Sequence, residues 1–138
     1  MNTKQTHVPV SIYLIDDNEI MNFINARLIK LICPDTQVFS FINGWEAIAH
    51  IDSQEVAPSM IFVDIEMPIM NGWDFLDVYQ KKFSQQWDET SVYMLSSSVS
   101  EADRQKALSY ECVSDYYSKP ITAEIFESLF FRGIAKSA

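Results

Sequence analysis

Carboxylate, hydroxyl and amine side chains stand at or just beyond the ends of four short apolar runs in this sequence. Asp16 and Asp17 follow one run, Asp64 and Ser96 end two others, and Lys119 comes shortly after a fourth. Carboxylates brought together repel one another, so a positive charge must lie among them. Oxygen ligands without histidine or cysteine suit a hard cation, and Mg²⁺ is the natural candidate because it accepts one or two carboxylates, a backbone carbonyl and several waters.

Such a group of side chains can carry out phosphoryl chemistry. An aspartate beside a metal ion can attack a phosphoryl group and form an acyl phosphate. The metal and Lys119 would stabilise charge on the transferring oxygens, and the Ser96 hydroxyl could donate a hydrogen bond to one of them. None of the three glycines belongs to a GxxxxGK or GxGxxG motif, so no glycine-rich loop holds phosphate. The residues therefore indicate phosphoryl capture on a carboxylate.

These side chains can meet only if regular elements bring them to one edge of a sheet. Apolar and β-branched runs predict strands over residues 10–15, 36–41, 59–63, 92–95 and 113–117. Apolar residues at helical spacing predict helices over 19–32, 72–83, 101–110 and 122–134, and a further helix capped by Asn43. Strands that alternate with helices predict an α/β fold, a doubly wound parallel sheet whose ligands bind at the carboxyl ends of the strands.

The helical spacing also predicts which faces are buried. In the first helix the apolar positions are Ile20, Phe23, Ile24, Leu28, Leu31 and Ile32. In the last helix, Phe126, Leu129 and Phe130 suit the core. Ile125 and Phe131 fall outside that stripe, and we expect them to be exposed.

Composition limits the classes of protein. The chain has 138 residues, of which 48% are apolar, and this predicts one domain over 10–138 after a flexible tail at 1–9. No apolar run approaches the roughly 18 residues of a membrane span, and the N-terminus lacks a secretory signal, so we expect a cytoplasmic protein. A net charge of −9 without a basic stripe argues against nucleic-acid binding. Cys33 and Cys112 show no CxxC spacing and are interpreted as reduced core residues.

In order along the chain, these motifs resemble the receiver domain of two-component response regulators. The resemblance rests on Asp16-Asp17 after the first strand, DIEMPIMNG from Asp64, a hydroxyl residue closing the fourth strand, and YYSKP at 116–120. It covers about residues 10–134. It implies a flavodoxin-like sheet of five parallel strands in the order 2-1-3-4-5 with five helices. Because no output domain is evident, we expect a single-domain response regulator.

The resemblance implies a phosphoacceptor and a metal site. Asp64 would accept the phosphoryl group. Asp16 and Asp17 would form the acidic pair for Mg²⁺, one binding it directly and one largely through water. The metal ligands would then be Asp16, Asp17, Asp64 and the backbone carbonyl of Glu66.

The resemblance also implies a switch. Ser96 would be the hydroxyl that moves toward the phosphoryl group, Lys119 would form an ion pair at the site, and Tyr116 would be the aromatic residue whose rotamer follows Ser96. Ser97 is an alternative for the hydroxyl, but the apolar run is continuous up to Ser96. The bond between Lys119 and its following proline is often cis in this family. Glu66 lies where receivers tune the lifetime of the acyl phosphate.

The function implied is signalling rather than enzymatic turnover. A sensor histidine kinase or histidine phosphotransfer protein would phosphorylate Asp64. The signal would pass to an unknown protein through the fourth helix, fifth strand and fifth helix, or the phosphoryl group would be handed on. We expect a monomer or weak homodimer.

Two alternatives have different sequence requirements. A haloacid-dehalogenase-like phosphohydrolase needs a DxDx[TV] motif after the first strand, which Asp16-Asp17-Asn18-Glu19 does not match. A receiver-like scaffold that works without phosphorylation is disfavoured because all five site residues are present.

Overall fold

The protein folds as one parallel sheet with helices on both faces. The structure, a computed structural model, describes residues 9–53, 57–83, 89–98 and 100–131. In chain order the elements are β1 (Ser11–Ile15), α1 (Glu19–Ile32), β2 (Gln37–Phe41), α2 (Gly44–Asp52), β3 (Met60–Asp64), α3 (Gly72–Lys82), β4 (Ser91–Ser96), α4 (Glu101–Leu108), β5 (Val113–Ser118) and α5 (Ala123–Phe130). The strand order is β2-β1-β3-β4-β5, and all pairs are parallel, which confirms the predicted topology.

The sheet is buried on both faces, which explains why its central strands read as continuous apolar runs. All five residues of β3 are buried. One core cluster, with Ala47, Phe75 and Ala107, lies on the side of α2, α3 and α4. The other, with Ile29 and Phe126, lies on the side of α1 and α5. The order of the strands reverses between β1 and β3, and their carboxyl ends form the crevice where ligands bind in such sheets.

A side-chain cap fixes the residue at which each helix begins. In each of the five described helices, a side-chain oxygen of the N-cap residue accepts a hydrogen bond from a backbone N–H of the first turn. The N-cap residues are Asn18, Asn43, Asn71, Ser100 and Thr122. The predicted cap at Asn43 is therefore present. Because α1 begins just after β1, the loop that carries the first two aspartates is short.

The predicted buried face of α1 is wrong at four of its six apolar positions. Four of its apolar residues are exposed by 44% to 74%: Ile20, Phe23, Ile24 and Leu31. The buried residues are Asn22, Asn25 and Ile29, which have helical spacing of their own. The side-chain amide of Asn22 donates to the carbonyl of Asp16 at 3.0 Å and to that of Phe41 at 3.3 Å. These hydrogen bonds hold the polar side of the first turns of α1 against the ends of β1 and β2, so that Ile20, Phe23 and Ile24 face outward. Further along the helix, Leu28 and Ile32 are half-buried and pack against the core.

The C-terminal helix also differs from expectation. Ile125 and Phe131 are half-buried rather than exposed, because both pack against the cluster that contains Phe126. α5 ends at Phe130 with Phe131 as its C-cap, and residues 132–134 of the predicted helix lie outside the described residues, as do residues 1–8 of the tail predicted over 1–9. α4 ends two residues earlier than predicted, at Leu108. In the described part of the chain, no helix has the length and apolar character to cross a membrane.

A close backbone approach makes Gly72 necessary. Its N–H donates to the carbonyl of Ile65 at 2.9 Å, so the loop after β3 folds back on itself. A Cβ at Gly72 would lie 2.8 Å from both the Asp64 carbonyl oxygen and the Ile65 Cα. Gly44 also follows an asparagine cap, but a Cβ there would meet only the flexible side chain of Met70.

We predict that Gly72→Ala lowers the free energy of unfolding by about 2 kcal/mol, because rigid backbone must move to admit the methyl group. Gly44→Ala is the matched control and should cost clearly less, since Met70 can change rotamer. Urea denaturation of the two variants measures both effects. Equal losses in the two variants would contradict the close approach.

Candidate functional site

Three carboxylates meet at the carboxyl edge of the sheet. Asp16 and Asp17 follow β1, and Asp64 is the last residue of β3. One oxygen from each lies within 4.8 Å of the others. Asp16 and Asp64 are buried, whereas Asp17 is exposed. The structure thus brings together the three aspartates that the sequence singled out, in a group that is open to solvent on the Asp17 side.

Lys119 provides positive charge inside this group. Its Nζ lies 3.1 Å from Asp16 Oδ2 and 3.2 Å from Asp64 Oδ2. Its backbone N–H donates to the Ser96 carbonyl at 2.8 Å, and the bond to Pro120 is cis, as the resemblance implied. Burial alone would lower the pKa of Lys119, but the contacts with the two aspartates outweigh it and raise that pKa above its usual value. The lysine is therefore a fixed cation.

One lysine does not balance the three carboxylates. Burial, followed by the negative charge of Asp16, raises the pKa of Asp64 to about 7, and Lys119 only partly opposes this rise. An additional cation would favour the ionised form of Asp64. The donor set consists of oxygen atoms alone, which is the chemistry that suits Mg²⁺. These residues fit a magnesium site.

Hydrogen bonds also orient the two buried carboxylates. Asp16 Oδ1 accepts from the backbone N–H of Asn18 at 2.8 Å. Asp64 Oδ1 accepts from the backbone N–H of Glu66 at 3.2 Å. Each carboxylate therefore has one oxygen on a loop amide and the other on Lys119. The loops after β1 and β3 fix the direction of the acidic side chains before any ligand binds.

The predicted switch residues lie on one side of this group. Ser96 is the last residue of β4 and is fully buried, whereas the alternative, Ser97, is exposed. Tyr116 is buried, and its hydroxyl lies 3.4 Å from the carbonyl of Ser98. Ser96 and Tyr116 thus both contact the loop that follows β4. The roles of Ser96, Tyr116 and the Glu66 carbonyl remain predictions.

Sequence reasoning missed one residue and one contact around the site. Asn22 supports the Asp16 loop from α1, and the only sign of it was an asparagine among apolar residues of a helix. The Glu66 carboxylate accepts a hydrogen bond from the Ser96 hydroxyl at 2.7 Å. The position of Glu66 two residues after Asp64 drew attention to it, but nothing in the sequence indicated a bond to Ser96.

An aromatic contact joins the helix after Asp64 to α4. Trp73 in α3 stacks on Tyr110 with a centroid distance of 6.3 Å, and Lys106 Nζ lies 4.4 Å from the centre of the Trp73 ring. The Tyr110 hydroxyl donates to Asp77 at 2.8 Å. Trp73 is therefore placed to report on movements of α4.

The sheet order and the position of the acidic group define a flavodoxin-like, doubly wound protein with its site at the topological switch point. A family model described as the response regulator receiver domain matches residues 12–129. The chain belongs to this family, whose members are signalling domains of two-component and phosphorelay systems.

Individual relatives agree with this assignment. Protein PilG of Pseudomonas aeruginosa is 30% identical over 115 residues, which cover 83% of this chain and 80% of PilG. The crystal structure of a two component response regulator from Cytophaga hutchinsonii is 32% identical, covers 93% of this chain and 98% of that chain, and has a TM-score of 0.84. The chemotaxis protein CheY4 of Vibrio cholerae, at 20% identity and a TM-score of 0.75 over 89% of this chain and 97% of that one, shares the fold.

Some relatives are much longer. The sensor histidine kinase CheAY of Helicobacter pylori is 25% identical over 135 residues, which cover 96% of this chain and 16% of that protein. The hybrid signal transduction histidine kinase C of Dictyostelium discoideum is 24% identical over 91% of this chain and 10% of that protein. The chain therefore spans only a small part of these kinases.

The raised pKa of Asp64 makes stability depend on pH. Since the folded-state pKa of about 7 exceeds the ordinary 3.8, the contribution of Asp64 is fully present below pH 3.8 and is lost as the pH rises through 7. We predict that Asp64→Asn, which cannot ionise, gains stability over the wild type between pH 4 and 8 by on the order of 2 kcal/mol in metal-free buffer. Thermal unfolding across this range measures the gain. Added Mg²⁺ should stabilise the wild type selectively, and a pH-independent difference would contradict the prediction.

Proposed function

We propose that this receiver domain accepts a phosphoryl group on Asp64 in a reaction that requires Mg²⁺. Receiver domains as a class are phosphorylated by histidine kinases or histidine phosphotransfer proteins, and such a protein is the donor that we propose here. The observation that carries the proposal is the contact of Lys119 Nζ with both Asp16 and Asp64 at 3.1 and 3.2 Å. It leaves a buried nucleophile beside a fixed cation at an edge open to solvent.

The reaction is a transfer from a phosphohistidine to a carboxylate. An Oδ of Asp64 forms a bond to phosphorus, the bond from phosphorus to the histidine nitrogen breaks, and the imidazole keeps that electron pair. Lys119 offsets charge on the phosphoryl oxygens. The Ser96 hydroxyl donates to one of these oxygens after phosphorylation. The product is an acyl phosphate on Asp64.

Asp16, Asp17 and Asp64 would hold the magnesium ion, together with the Glu66 backbone carbonyl that the resemblance implies. The ion would neutralise developing negative charge on the phosphoryl oxygens. Of the three carboxylates, exposed Asp17 borders the solvent side, which allows waters to complete the octahedral set that Mg²⁺ requires.

The α1 patch, defined as Ile20, Phe23 and Ile24, suits the phosphodonor protein. These side chains are exposed by 69%, 62% and 44%, and they lie on the first turns of the helix that begins beside Asp17. Contiguous exposed apolar residues typically mark protein interaction sites. A donor that contacts this patch would lie next to the open side of the acidic group.

We propose that the output leaves through α4, β5 and α5 to a protein partner, in the cytoplasm, from a monomer or weak homodimer. Arg104 of α4 supports this surface with an ion pair to Asp115 at 3.6 Å and a hydrogen bond to the Tyr116 carbonyl at 3.5 Å. Leu108 is 41% exposed there. Tyr116 connects this surface with the loop after β4.

We predict that acetyl phosphate adds one phosphoryl group to the wild type in the presence of Mg²⁺. Asp64→Asn should show no addition, because the nucleophile is absent, and EDTA should abolish the addition to the wild type. Intact-protein mass spectrometry at short times measures the product. If the wild type remains unlabelled while a control receiver is labelled, the phosphoacceptor function is wrong and a phosphorylation-independent scaffold replaces it.

We further predict that Phe23→Ala slows phosphotransfer from a histidine phosphotransfer protein about tenfold, since an interface anchor is truncated. Labelling by acetyl phosphate should not change. Leu31→Ala is the matched control, because Leu31 is 74% exposed on the same helix but lies about 12 Å further along its axis. Equal rates for Phe23→Ala and Leu31→Ala would remove the α1 patch from the donor interface.

A further inference from the structure

The Glu66 side chain contacts the residue proposed as the switch. Glu66 Oε2 lies 2.7 Å from Ser96 Oγ, and Glu66 Oε1 lies 3.4 Å from both the backbone N and the Oγ of Ser97. Ser96 is fully buried, whereas Glu66 is exposed. The carboxylate therefore reaches from the loop after β3 to the loop after β4 and covers the hydroxyl at the end of the strand.

This contact uses the only proton that the Ser96 hydroxyl can donate. Two acceptors lie within reach, Glu66 Oε2 at 2.7 Å and the Ser98 carbonyl at 3.0 Å. A hydrogen bond to a carboxylate is shorter and stronger than one to a neutral carbonyl, so Glu66 is the preferred acceptor. The Ser96 oxygen in turn accepts from the Ser98 N–H at 3.0 Å. The hydroxyl is thus fully engaged before any phosphoryl group is present.

We propose that the Glu66 carboxylate is a positioning residue that keeps the Ser96 hydroxyl from the phosphoryl site, and that phosphorylation of Asp64 breaks this hydrogen bond. We name the bond between Glu66 Oε2 and Ser96 Oγ the Glu66 latch. The inference rests on the proposed function of Asp64. It assigns a role to the Glu66 side chain in addition to the one expected of its backbone carbonyl.

Charge provides the force that opens the latch. An acyl phosphate at Asp64 carries up to about two negative charges in place of the single charge of the carboxylate, two residues from Glu66, and like charges repel. The phosphoryl oxygens also compete directly for the Ser96 proton. Once Ser96 donates to phosphate, Glu66 no longer restrains the loop, and the Ser98 carbonyl that contacts the Tyr116 hydroxyl at 3.4 Å is free to shift.

The latch opposes activation. Phosphorylation exchanges one charge-assisted hydrogen bond of Ser96 for another, so the net gain is smaller than the new bond alone would give. Without the Glu66 carboxylate, the hydroxyl is held only by the weaker Ser98 carbonyl. Removal of the carboxylate should therefore favour binding of a phosphoryl group or its analogue, and only while Ser96 retains its hydroxyl.

The test is a double-mutant cycle with beryllofluoride, a phosphoryl analogue, in the presence of Mg²⁺. Intrinsic tryptophan fluorescence, to which Trp73 contributes, gives the midpoint of binding for the wild type, Glu66→Ala, Ser96→Ala and the double variant. We expect Glu66→Ala to lower the midpoint about tenfold, and Glu66→Gln, whose amide oxygen still accepts from Ser96, about threefold. In the Ser96→Ala background, removal of Glu66 should change the midpoint less than about twofold.

A general charge effect predicts a different result. If Glu66 acts only by repelling anions, its removal tightens binding equally with and without the Ser96 hydroxyl, and that outcome overturns the latch. Ser97→Ala is the matched control, since it removes a contact of Glu66 but leaves the latch in place. Circular dichroism and urea denaturation establish that each variant is folded.

Acetyl-phosphate labelling of the same proteins separates this inference from the proposed function. A wild type that is labelled, with unchanged labelling rates and midpoints for Glu66→Ala, overturns the latch alone. A wild type that neither binds beryllofluoride nor is labelled overturns the phosphoacceptor function and the latch together. Faster labelling of Glu66→Ala that requires Ser96 supports both.

Discussion

The contact of one ammonium group with two buried carboxylates is the interaction on which the rest of the site depends. Lys119 can stand 3.1 Å from Asp16 and 3.2 Å from Asp64 only because β1 and β3 are neighbours in the sheet and end at the same level. Burying one partner of such a group alone would be costly, because an unpaired charge in the interior is poorly solvated. The fold therefore has to deliver the three side chains together, and the parallel sheet does so by ending its strands at a common edge.

The loops around this edge have little freedom. The chain after Asp64 folds back so closely that Gly72 packs against the backbone of Asp64 and Ile65. The backbone N–H groups of Asn18 and Glu66 donate hydrogen bonds to the carboxylates of Asp16 and Asp64. Burial of Asp64, followed by the negative charge of Asp16 that Lys119 only partly offsets, raises the pKa of Asp64 to about 7. The same arrangement that costs stability in the free protein leaves the nucleophile prepared for a cation and a phosphoryl group.

The sequence predicted the features that follow from the alternation of strands with helices and from the order of the motifs along the chain. Strand runs separated by helical spacing predicted the parallel sheet, and residues at strand ends predicted the meeting of Asp16, Asp64 and Lys119. Periodicity did not identify the buried side of the first turns of α1, because the buried stripe of Asn22, Asn25 and Ile29 has the same helical spacing as the apolar residues. The carbonyls of Asp16 and Phe41, to which Asn22 donates, decide between the two sides. The hydrogen bond from Ser96 to Glu66 joins the end of β4 to the loop after β3, between residues thirty positions apart in the chain, and local sequence carries no information over that separation.

In the first turns of α1, the residues that attach the helix to the sheet are different from the apolar residues that face outward. Asn22 fastens the helix to the strand ends through directional amide hydrogen bonds, and Ile29 anchors it further along in the core. The outward side chains of Phe23 and Ile24 contribute little to this attachment because they are 62% and 44% exposed, respectively. Substitutions on that side can therefore accumulate at small cost to folding. Homologous proteins with this helix can therefore differ in the outward residues of α1, and so in the proteins that they bind, while the sheet and the acidic group remain unchanged.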